Sequence, residues 1–246
     1  MKTQNQNQLG SLLKTAGALA FGIATLCLAG CASTPYHKGD AAAVSLQDGA
    51  SEVQGQSRAL EVTIGSLDDL VNKPEPDLKP QFKRFSKALD NLAAYEKRNE
   101  RSQAHVRNKS ADYLESWNQE LATMNYETVR SRSQERKAEV TTYFDSVNRR
   151  YHDAQDAMGP LLSYLYDVRR ALAADLTPNG LESIKPVVAK ARENADRVQL
   201  ALGRLTTELA ASSAHMSSVV YQNASPSPVS TNQPPRTAQA KQTDGS

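Results

Sequence analysis

Apolar residues in this chain recur at alternating steps of four and three, and no run of any length alternates at steps of two. Four-three spacing lines up side chains on one narrow stripe of a helix, whereas a half-buried strand needs period-two alternation. The first series is Leu46, Ala50, Val53, Ser57, Leu60, Ile64, Leu67 and Val71. It ends at "NKPEPD", where Pro74 and Pro76 cannot continue a helix. Gly49, Gly55 and Gly65 fall inside it, each disfavoured by up to about 1 kcal/mol against alanine, so this helix is expected to be the weakest.

The second series is Leu78, Phe82, Phe85, Leu89 and Leu92, resuming at Val106, Tyr113, Trp117 and Met124. Between its halves the stripe carries Glu96, Asn99 and Gln103. The third series runs without a break through Val140, Phe144, Val147, Tyr151, Ala154, Met158, Leu161, Leu165, Val168 and Leu172. Gly159-Pro160 lies inside it and predicts a kink, since the stripe keeps phase across the proline. Thr177 suits an N-cap with Pro178 in the first helical position. The fourth series follows as Leu181, Ile184, Val188, Ala191, Ala195, Val198, Leu202, Leu205 and Leu209, with Pro186 marking a delayed start or a mild bend.

These four stripes predict an all-α fold over residues 41–220: an elongated antiparallel helical bundle or coiled coil of about four helices. Short connections make successive helices antiparallel neighbours, and the stripes can be covered within one chain or by self-association with a second copy. Residues 221–246 are rich in serine, proline and glutamine and hold almost no apolar side chains. Too little surface is available there to offset chain entropy, which predicts a disordered C-terminal tail.

The first thirty residues have a different pattern. Lys2 and Lys14 bracket a polar start, and an apolar run from about Ala16 to Leu28 closes on small residues. Such a run is shorter than the ~20 residues a spanning helix needs and reads as a signal peptide over residues 1–30. Its closing Leu28-Ala29-Gly30-Cys31 resembles the lipobox of bacterial lipoproteins. The resemblance implies cleavage before Cys31 and acylation of that residue, with residues 31–40 as a lipidated tether. Ala32 stands where aspartate would favour the inner membrane, so the outer membrane is expected, facing the periplasm. Several acyl chains make a lasting anchor, since each buried methylene adds ~0.8 kcal/mol.

Loss of the leader changes the remaining chemistry. The only two cysteines are Cys27 and Cys31, so the processed chain would hold no free thiol, which excludes disulfides and thiol catalysis. Removing Lys2 and Lys14 takes the formal charge from +2 to zero. Neither this balance nor any basic-aromatic interleaving points to nucleic acid. Charge is nonetheless uneven. The first series carries Asp48, Glu52, Glu61, Asp68 and Asp69 against Arg58, while the second carries nine cations from Lys79 to Lys109. Complementary flanks of this kind are expected to pair the two helices.

The segment from Ser116 to Leu176 resembles the central region of an uncharacterised family of bacterial helical lipoproteins, a domain of unknown function. Trp117, Glu120 and Leu121 carry the likeness, with Arg130, Ser133, Tyr151, Met158, Pro160-Leu161-Leu162 and Asp167. It covers roughly Val44 to Ser217, strongest from Trp117 to Ile184, and departs after Leu172, where "AADLTPNG" replaces a stretch richer in lysine, histidine and asparagine. The resemblance implies an all-helical periplasmic protein and carries no catalytic residue with it.

Candidate chemistry is sparse. A di-iron bundle needs Glu-x-x-His steps, but Thr34, Ser102, Arg149 and Ser212 stand three residues before the four histidines. No His-Glu-x-x-His, glycine-flanked serine or phosphate-binding glycine loop is present. The polar layer Glu96, Asn99 and Gln103 either lines a small ligand cavity or fixes the register of a long bundle. Lys83, Arg84, Arg98 and Arg101 are candidate contacts for an anionic surface, or else a solvated face. The functional expectation is a lipid-anchored, non-enzymatic envelope scaffold or adaptor with a protein partner and no cofactor. A carrier of an amphiphilic or anionic envelope molecule, such as a lipid or lipopolysaccharide, is the alternative.

Overall fold

The structure, a computed structural model, describes residues 34–218. The segment read as a signal peptide, Cys31 and the segment read as a tail lie outside the described residues. Four helices occupy the described chain: α1 (Pro35–Asn72), α2 (Leu78–Thr123), α3 (Glu127–Ala174) and α4 (Pro178–Met216). At 1.5 Å per residue they are about 57–72 Å long. No strand occurs among the described residues.

Each stripe is buried against two neighbours, α1 on α2 and α4, α3 on α4 and α2, so the four helices close a ring. Cross-helix bonds fix the directions. Glu52 meets Arg98 while Asp69, further along α1, and Lys73, just past its end, accept from Gln81, which lies earlier on α2. Gln103 meets Asn148, and Asp90 meets Arg169. Arg136 meets His215 and Tyr164 meets Val187 between α3 and α4, and Ala43 meets Ser213 and Asp68 meets Arg192 between α1 and α4, so every adjacent pair is antiparallel. The chain enters and leaves the bundle at one end, where Ser213 donates to the Ala43 carbonyl at 2.8 Å and the Ser218 amide to Asp40 at 3.1 Å.

The third stripe is buried residue for residue as spaced, from Val140 to Leu172, and α3 runs unbroken through Gly159 and Pro160 on its exposed side. In α4, Thr177 caps the Gly180 amide at 3.1 Å and Pro178 opens the helix. Pro186 sits exposed within α4, so the helix starts at Pro178 with no delay. Residues 35–40, read as part of a tether, belong to α1 instead. Pro35 begins α1, because proline suits a first helical position and Ala41–Ala43 favour helix.

The first helix departs most from its reading. It buries a broad face built of Gly39, Ala42, Ala43, Ser45, Gly49, Gly55 and Ala59 beside the expected leucines and valines. Small side chains let α2 and α4 pack on it closely. A β-carbon on Gly39 would lie 3.1 Å from the Tyr113 ring, on Gly55 2.5 Å from that of Tyr95, and on Gly49 2.8 Å from the Tyr151 hydroxyl. Two of the glycines that argued for a weak helix, Gly49 and Gly55, are thus seats of tyrosines, as is Gly39. Gly65 is the exception, since a β-carbon there meets nothing within 4 Å. Gly65→Ala should therefore stabilise the fold by about 0.5–1 kcal/mol, read as a raised urea midpoint at unchanged slope.

Candidate functional site

The polar interruption on α2 resolves into two separate brackets. Glu96 and Asn99 face α1, where the side chain of Gln56 is buried between them. The Gln56 amide donates to Glu96 Oε2, and Asn99 Nδ2 donates to Gln56 Oε1. Asn99 is only 4% exposed, and its Oδ1 has no hydrogen-bond partner among the described residues. Gln103, expected in the same layer, faces α3 instead. It donates to Asn148 Oδ1 at 3.2 Å and accepts from Gln155 Nε2 at 2.8 Å.

Burial pushes the Glu96 carboxyl above the usual carboxylate range; the Gln56 hydrogen bond opposes that rise and nearby Glu100 adds to it. The folded chain holds this proton more tightly than the unfolded one. Stability from this group is full below the ordinary carboxylate pKa and is lost as pH rises through the raised one. Glu96→Gln should consequently raise Tm at pH 7–8 and leave it little changed near pH 3, which thermal melts at the two values will check.

Between α2 and α3, the ring's least extensive contact, lies a cleft of about 240 Å³. Val106, Phe144, Val147 and Tyr151 line it, with exposed Arg107 and Asp145 alongside. That volume is below the roughly 300–1,000 Å³ of ordinary ligand pockets. Among the described residues no three metal-ligating side chains converge, and no helix is long and apolar enough to cross a membrane. His215 stacks on Tyr143, their ring centres 5.0 Å apart.

The four candidate cations divide. Arg84 pairs with Glu75 at 2.6 Å, and Arg98 pairs with Glu52 at 3.3 Å while lying 3.7 Å over the Tyr95 ring. Both are engaged on the flank facing α1. Lys83 and Arg101 stand on the outward ridge, in line with Lys79, Lys87 and Lys97. All five are exposed, and none makes an ion pair among the described residues. The expected charge match between the first two helices is correspondingly slight. Glu52–Arg98 is its one ion pair, while Asp68 pairs with Arg192 and Glu61 accepts from Gln199, both on α4. The ridge points away from α1 because the buried stripe lies on the opposite side of the helix, and charge cannot rotate a helix against its core.

Sequence reading missed Gln56 and Gln81. The Gln81 side chain is buried at the α1–α2 turn, where it donates to the Asp69 and Lys73 carbonyls and accepts from the Glu75 amide. A glutamine one position off an apolar stripe, beside a proline-rich turn, was the available signal.

A family model described as a protein of unknown function, DUF2959, matches residues 32–218 and so takes in all four helices. No curated protein and no solved structure matches the chain.

Proposed function

For this chain, which belongs to the DUF2959 family of unknown function, we propose the role of a lipid-anchored, non-enzymatic scaffold or adaptor of the bacterial envelope. The observation that carries this reading is the outward ridge of α2. Lys79, Lys83, Lys87, Lys97 and Arg101 make no ion pair among the described residues, where thirteen ion pairs engage other cations. Such a row offers an acidic protein surface a salt-sensitive grip along a rigid rod. The polar groups of the core support the same reading, since Gln56, Glu96, Asn99 and Gln103 are bonded across helices rather than gathered around a reaction centre.

The anchor rests on Leu28-Ala29-Gly30-Cys31, and outer-membrane residence facing the periplasm rests on Ala32. Cys31→Ala is expected to release the protein from the membrane fraction; unchanged fractionation would reject the anchor. The adaptor role is tested by a photo-crosslinker at Lys83 in intact envelopes. A reproducible protein adduct that weakens with Lys97→Glu and Arg101→Glu is expected. Adducts to lipid alone would favour the carrier reading, in which α2 and α3 part at their cleft.

A further inference from the structure

The hairpin joining α2 to α3 projects past the rest of the bundle. Trp117 Nε1 donates to Ser133 Oγ at 2.8 Å, clamping the two helices. This clamp is level with the start of α1, because Gly39 sits against Tyr113, four residues before Trp117, and Pro35 lies four residues before Gly39. It is also near the end of α4, since Arg136 bonds the His215 carbonyl at 2.9 Å. Beyond the clamp α2 continues to Thr123 and α3 begins at Glu127, a further reach of about 9 Å on each helical arm of the hairpin.

The tip is apolar for an exposed loop. Tyr126 is 78% exposed and Val129 56%, with Met124 half-buried beside them. Tyr36, on the first turn of α1, is 58% exposed. Three of the six exposed large apolar side chains among the described residues therefore gather at this one end. Two of the nearby cations are matched, Arg130 by Glu127 and Arg132 by Glu135, while Glu120 is exposed and makes no ion pair among the described residues. Three residue steps connect Cys31 to Thr34, a reach of at most ~11 Å.

We infer that the Met124–Val129 tip seats in the headgroup layer of the bilayer that holds the acyl chains of Cys31. The inference rests on the lipid anchor proposed above. A single short tether leaves a rod free to swing, whereas a second contact at the same end sets it upright. Tyrosine suits that layer, its ring among the upper acyl carbons and its hydroxyl in water. The paired charges lower the cost of approaching lipid.

The test uses the full acylated chain, purified from membranes and placed in phosphatidylethanolamine–phosphatidylglycerol vesicles. An environment-sensitive fluorophore is attached at Tyr126→Cys, at Val129→Cys as a second tip position, and at Glu75→Cys in the loop at the other end. Probes at 126 and 129 are expected to shift to the blue and to be quenched by lipids with a shallow nitroxide, while the probe at 75 does neither. Flotation with the vesicles and tip probes as water-exposed as that at 75 would overturn the inference and leave the anchor standing. Failure to float would overturn both.

Discussion

Gly49→Ala is expected to lower stability by about 1–3 kcal/mol, the usual cost of forcing one extra carbon into a packed core. All four helices meet at this position. The new β-carbon would lie 2.8 Å from the Tyr151 hydroxyl of α3, 3.4 Å from Ser102 Oγ of α2 and 3.5 Å from a Leu209 methyl of α4. Tyr151 cannot swing aside, being 2% exposed and packed within the core. The atom in the way is the hydroxyl oxygen, which meets Ser102 Oγ only at a long 3.5 Å. Adding Tyr151→Phe should therefore recover most of the loss. A double-mutant cycle by urea denaturation reads the coupling directly; additive effects would show that the tyrosine is not the obstacle.

Gln56→Leu should cost about 2–4 kcal/mol, because one substitution strips partners from a buried amide, Asn99, and a half-buried carboxyl, Glu96. Asn99 would lose its bond while already carrying an unpartnered Oδ1, and Glu96 would lose a donor. Without that donor the Glu96 carboxyl rises still further, so the loss is expected to be greater at pH 8 than at pH 4. Combining Gln56→Leu with Asn99→Leu should return part of the stability, since removing both members of a buried polar pair is far milder than removing one. Melts of the single and double variants at both pH values decide it.

How far the chain could be read from its letters depended on what each helix uses to pack. The third and fourth helices pack with leucine, valine and aromatic residues, which report their burial through spacing, so every expected core position on them is buried. The first packs largely with glycine, alanine and serine, which send no apolar signal, so its broad inner face went unseen. The interruption at Glu96, Asn99 and Gln103 was visible because it breaks a period. Its partners were not, since whether a residue meets Gln56 or Gln155 depends on the register between helices. The basic ridge was half legible: composition located the cations on the second helix, but only the packed flank separates Arg84 and Arg98 from Lys83 and Arg101.

The neighbouring ends of the described chain, joined through Asp40 and Ser218, also decide how the bundle answers mechanical load. Tension applied across those ends would strip α1 and α4 apart turn by turn, a few contacts at a time. Pulling instead between the entry end and the distant loop around Glu75 would strain many contacts along the rod at once. A force probe attached in these two ways should find the first geometry soft and the second stiff.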